Sequence, residues 1–123
     1  MSGTSYVFDT NTLIEYLNGN QALARFHHTR ILLSVITVVE FLSYSQIGEH
    51  GRKLFLDFLE SAEVVDLKSD DIQLMDEITT IRIKFKIKLP DAIIAATALT
   101  KRAVLITNDK GFSKIDSLTV ENY

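Results

Sequence analysis

Short runs of apolar and β-branched residues recur along the chain without strict polar alternation. They are residues 5–8 (SYVF), 31–36 (ILLSVI), 63–65 (EVV) and 103–107 (AVLIT), with a weaker fifth at 118–120 (LTV). Strand-length runs of this kind suit a parallel sheet covered on both faces. Between them the apolar period lengthens to that of a helix. Val38, Phe41, Leu42 and Ser45 keep helical spacing, as do Leu74, Ile78, Ile81 and Phe85. Asp70 or Asp71 supplies an N-cap for the second series. Strands alternating with helices predict βα units with right-handed crossovers, and so an α/β sandwich. No internal repeat, low-complexity tract or linker interrupts it.

Two periods compete over residues 81–89. Ile81, Ile83, Phe85, Ile87 and Leu89 alternate with Arg82, Lys84, Lys86 and Lys88, which reads as a strand with a basic face. Pro90 decides against it, because proline fits the first helical turn and discourages helix in the residue before it. The expectation is a helix reaching Phe85, a short loop, and a second helix beginning at Pro90.

Composition narrows the class. At 123 residues the chain is expected to form one domain over its whole length, and 46% hydrophobic residues suit a folded protein. No apolar run reaches the roughly 18–20 residues of a membrane span, and the N-terminal stretch lacks the features of a signal peptide. With no cysteine, disulfides and thiolate metal sites are excluded. A cytoplasmic protein is expected. The net charge of −3 leaves no general basic excess, so any contact with nucleic acid must be local. The dense basic run is RIKFKIK, where Lys84, Lys86 and Lys88 are candidates to hold substrate phosphates.

Four acidic residues fall where chemistry would need them. Asp9 follows the first strand, Glu40 is expected in the first turn of the helix after the second, Asp91 opens the apolar helix, and Asp109 follows AVLIT. Each has an ordinary structural role open to it. Asp9 can N-cap a helix, Thr37-x-x-Glu40 reads as a capping box, Asp91 can complement a helix dipole, and Asp109 can serve a turn before Gly111. Jointly they say more, since strand C-termini and helix N-termini share one edge of an open parallel sheet, where ligands bind. Carboxylates about 5 Å apart repel by roughly 3 kcal/mol per pair at an effective dielectric near 20. A divalent cation removes that cost, and oxygen-only ligands suit Mg²⁺ or Mn²⁺. The implied chemistry is metal-assisted attack of water on a phosphodiester.

The segments VFDTNTLI, ITVVEFL, LPDAIIAATAL and LITNDKGF, in this order, resemble a PIN domain, and in particular the small VapC-type ribonuclease toxins of toxin–antitoxin pairs. The resemblance runs from Tyr6 to Phe112. It implies a three-layer α/β/α sandwich with a central parallel sheet of four or five strands. It also implies a metal-dependent endoribonuclease in which Asp9, Glu40, Asp91 and Asp109 hold one or two Mg²⁺ or Mn²⁺ ions. Asn11 and Thr107 would orient the ligands or water. The implied partners are RNA, a cognate antitoxin and a second copy of the chain. One departure is Gly111, where many relatives carry an acid before the final Phe.

Other readings fare worse. A phosphatase of the haloacid dehalogenase type would want a second Asp where Asn11 stands, and Lys110 is misplaced for a receiver domain. His27 and His28 are adjacent, so on a helix they point apart; a loop or helix end is expected. Leu42, Leu54, Phe55, Phe58 and Leu59 exceed what one helix face buries and are candidates for a dimer or antitoxin surface. The alternative to an enzyme is a catalytically silent PIN-like binding module acting through protein partners.

Overall fold

The computed structural model describes residues 3–44 and 46–123. Five parallel strands form one sheet in the order β3-β2-β1-β4-β5. These are β1 (Ser5–Phe8), β2 (Arg30–Ser34), β3 (Glu63–Val65), β4 (Val104–Ile106) and β5 (Val120–Glu121). Helix α1 (Thr10–Leu17) and a 3₁₀ turn (Gln21–Phe26) link β1 to β2, and α2 (Val35–Leu42) and α3 (Gly48–Leu59) link β2 to β3. Helices α4 (Ile72–Phe85) and α5 (Leu89–Thr100) then carry the chain to β4 on the other side of β1. No helix among the described residues is long and apolar enough to cross a membrane.

Alternate residues of the central strands feed two separate cores. Val7, Leu32 and Leu105 pack on one side of the sheet with Ile78, Ile81 and Ile94. Phe8, Leu33 and Ile106 pack on the other with Leu13, Phe41 and Phe55. Both faces of each strand are therefore apolar, which is why the sequence shows runs without alternation. The result is the expected α/β/α sandwich.

Helix α5 is buried from Ala92 through Ala98. Its alanines let the backbone lie close to the strands while Ile93 and Ile94 fill the remaining space. Helix α4 ends at Phe85, and Lys86 adopts a left-handed conformation (φ 56°) at its C-cap. Pro90 falls in the first turn of α5. The expected helix–loop–helix division forms, with Ile83 73% exposed in the discarded alternation. Helix α5 starts one residue earlier than expected, at Leu89, because Leu89 takes the first helical position with Pro90 second. Asp71, not Asp70, is the N-cap of α4, its Oδ1 accepting the Leu74 N–H at 3.2 Å.

Two further expectations are corrected. The second strand stops at Ser34 rather than continuing to Ile36, because the Ser34 hydroxyl accepts the Ile36 N–H and caps α2. Thr37 is thus inside the helix, no Thr37–Glu40 capping box forms, and Glu40 lies beyond the first turn. The β-branched run Val35–Val39 hides this boundary by extending the strand signal. Phe55 leaves the candidate surface set: it is fully buried against Phe41, with ring centroids 4.4 Å apart. Leu42 and Leu54 are exposed, and Phe58 and Leu59 are half-buried. Ser45, the last member of the α2 series, lies outside the described residues.

Substituting Phe55→Ala should cost about 3–5 kcal/mol of unfolding free energy, because it opens a cavity in the core. Leu54→Ala, at a position 36% exposed, should cost less than about 1 kcal/mol. Urea unfolding measures both, and equal costs would contradict the assignment of Phe55 to the core.

Candidate active site

The register of β1 against β4 builds the centre of the site. Val7 pairs with Leu105 and Phe8 with Ile106, so the next residues, Asp9 and Thr107, meet side by side where both strands end. Both are buried. The Thr107 hydroxyl donates to Asp9 Oδ2. Asp9 Oδ1 accepts the Thr12 N–H at 2.8 Å and so also caps α1. Thr12 in turn donates from its hydroxyl to the Ile106 carbonyl at 2.8 Å, tying α1 to β4.

The other acids reach the same edge from separate elements. Asp109 caps a 3₁₀ turn (Lys110–Lys114), with Oδ1 accepting the Gly111 N–H at 2.8 Å. Its own N–H donates to the Thr107 hydroxyl at 3.0 Å, so Thr107 links Asp109 to Asp9. Glu40 comes from α2 and accepts a hydrogen bond from the Thr10 hydroxyl of α1. Asp91 sits in the first turn of α5. All four carboxylates, with Asn11 and Lys88, line one cavity of about 230 Å³. This crevice lies at the carboxyl ends of β1 and β4, where the connections diverge to opposite sides of β1, the topological switch point of the sheet.

Electrostatics records the crowding. Burial pushes the Asp91 carboxyl above its ordinary pKa, Lys88 pulls it down, and Asp109, Glu40 and Asp9 each raise it further. The donor set is entirely oxygen, which fits Mg²⁺ or Mn²⁺ better than a softer metal. The carboxylates share the cavity without closing on one point. Among the described residues no group of three or more His, Cys, Asp or Glu is already drawn together as a metal cage.

Not every residue singled out in the sequence belongs here. Lys84 lies over the Phe85 ring, 5.2 Å from its centroid, while Lys86 and Lys88 border a second cavity of about 250 Å³ beside Asp91 and Asp109. His27 and His28 are exposed outside the site, and His27 Nδ1 is 2.7 Å from the Tyr16 hydroxyl. Three contributors carried no signal in the sequence. Thr10 holds Glu40, Lys114 reaches the second cavity, and Tyr123 walls the cleft beside Asn11 and Asn108. The Tyr123 hydroxyl donates to Glu15 at 2.8 Å, and burial with that carboxylate pushes its pKa up to about 12. Each depends on partners far apart in the chain, so local pattern could not reveal it.

An open parallel α/β sandwich with acids gathered at its switch point defines a class, and comparison with known proteins gives the family. The PIN domain family model matches residues 6–118, and this chain belongs to that family. A DNA-bound VapBC structure from Salmonella typhimurium superposes with TM-score 0.82 at 23% identity, covering 98% of each chain. VapBC-1 from nontypeable Haemophilus influenzae gives TM-score 0.78 at 27% identity, covering 97% of this chain and 98% of that one. A toxin–antitoxin complex from Klebsiella pneumoniae gives 0.76 at 26%, covering 93% and 95%. No curated protein matches the chain in sequence.

The raised Asp91 pKa has a direct consequence for stability. The folded state holds this proton more tightly than the unfolded chain, so ionisation costs stability as pH rises from the ordinary value of 3.8 through the raised one. In metal-free buffer at pH 7, Asp91→Asn should therefore melt higher than wild type. The gap should narrow as pH falls through the raised pKa and close below 3.8, where the carboxyl is neutral in both states. A lower melting temperature for the variant at pH 7 would refute this.

Proposed function

We propose that this protein is a metal-dependent endoribonuclease, the toxin of a toxin–antitoxin pair. The observation that carries the reading is the single cavity shared by Asp9, Glu40, Asp91 and Asp109 at the switch point of a PIN sheet. Similarity to VapBC structures supports the toxin assignment and an antitoxin partner. Self-association belongs to the same reading, and the exposed Val39, Leu42 and Leu54 are available to protein contacts.

Asp9 and Asp91 are the principal ligands of one or two Mg²⁺ or Mn²⁺ ions, with Glu40 and Asp109 completing the set. The ion, when bound, would lower the pKa of water and neutralise charge developing on the phosphate and leaving oxygen. Thr107 fixes the Asp9 carboxylate against rotation, and Thr10 does the same for Glu40. Asn11, exposed at the rim, orients ligand or substrate through its amide. With water activated in this way, a separate histidine base is unnecessary.

The test is cleavage of a fluorescent single-stranded RNA with Mg²⁺ or Mn²⁺. Activity should vanish in EDTA and fall by more than about a hundredfold in Asp9→Asn and Asp91→Asn. Thr107→Val, which keeps every carboxylate but frees Asp9, should lose about ten- to a hundredfold, as outer-shell substitutions do. Folded protein that is inert with both metals yet still binds a protein partner would replace the enzyme reading with that of a binding module.

A further inference from the structure

The second cavity has a chemistry of its own. It opens beside Asp91 and Asp109 and is bordered by Lys86, Lys88 and Lys114, with Gly111 in its wall. The lysines come from two separate segments, the loop between α4 and α5 and the 3₁₀ turn after β4. None of the three forms a salt bridge among the described residues, where ion pairs join Arg25 to Glu121, Arg30 to Glu63 and Lys53 to Asp57. They are exposed and available to a ligand.

Two features of the backbone strengthen the case. Lys86 occupies the left-handed region at φ 56°, a C-cap position that glycine or asparagine usually fills. A lysine there accepts conformational strain, and its side chain is one of the cavity's three ammonium groups. Gly111 has no side chain, and a Cβ added to it would lie 3.1 Å from Asp109 Oδ1. Gly111 therefore adds no side chain to the cavity wall beside Asp109.

We infer that Lys86, Lys88 and Lys114 form a subsite for an internucleotide phosphate next to the one cut, so that the RNA backbone runs from the acidic cavity across Gly111 towards Lys114. This rests on the nuclease reading and gives that site a direction. It also explains how a chain of net charge −3 can hold a polyanion. Positive charge is concentrated at one flank of the acids, where a neighbouring phosphate would fall, instead of being spread over the surface. Lys84, turned onto Phe85, is excluded from the subsite.

Binding of a 2′-O-methyl oligoribonucleotide, which cannot be cleaved, tests this in EDTA and so apart from catalysis. Lys88→Ala and Lys114→Ala should each weaken binding about three- to tenfold. Each should also reduce the slope of log Kd against log salt by about 0.7, the value for one lost contact to single-stranded nucleic acid. Lys86→Gly should weaken binding equally while raising the melting temperature, because glycine removes the left-handed strain. Lys84→Ala should change neither affinity nor slope, and inorganic phosphate at millimolar concentration should not displace the oligonucleotide. The subsite is refuted if the Lys86→Gly, Lys88→Ala, Lys114→Ala triple variant keeps wild-type affinity and slope. It is refuted equally if Lys84→Ala costs as much as Lys114→Ala, or if inorganic phosphate displaces the oligonucleotide. If the lysine effects hold while no RNA is cleaved with any metal, the subsite stands and the nuclease reading alone falls.

Discussion

The alignment of β1 with β4 is the constraint on which the rest of the site depends. Parallel strands paired from Tyr6–Val104 to Phe8–Ile106 must end together, and the residues that follow are Asp9 and Thr107. A slip of one residue would turn every side chain of β1 to the opposite face. It would exchange Val7 with Phe8 between the two cores and carry Asp9 away from its hydroxyl partner. The apolar demands of the two layers thus hold the acid in place, and binding chemistry is fixed by packing.

The acids do structural work as well. Asp9 caps α1 and Asp109 caps the turn after β4, so each carboxylate has one oxygen occupied by a backbone N–H and is held in one orientation. Asp91, whose pKa is raised first by burial and then by the neighbouring acids Asp109, Glu40 and Asp9, stands apart from them. The interior that isolates it, the alanine-rich body of α5, is also what lets the helix lie close enough to bring Asp91 to the strand ends.

Much of this was legible in the sequence because it is written locally. SYVF and EVV mark strands to the residue, and Pro90 resolves the ambiguity of the basic run. The two ordinary roles expected of Asp9 and Asp109 both exist and coexist with their place in the cavity. What the sequence concealed was either ambiguous locally or written across distance. The start of α2 was masked by β-branched residues that suit a strand as well as a helix, which misplaced Glu40 by half a turn or more. Phe55 looked like surplus apolar surface because its partner Phe41 belongs to a different helix. Lys114 and Tyr123 gain meaning only when β5 and the preceding turn fold back along β4.

The final residues have a consequence for the acidic loop. Asn122 donates to the Thr107 carbonyl, and Asn108 exchanges two hydrogen bonds with the Tyr123 backbone, while the Tyr123 ring reaches Glu15 on α1. The strand leading into them has only two residues, so most of the hold on this edge comes from side chains grouped around the acidic loop. Loss of this segment would remove the partners of the Thr107 carbonyl and of the Asn108 side chain. The chain's last residues thus tether the loop that carries Asn108 and Asp109 to both β4 and α1.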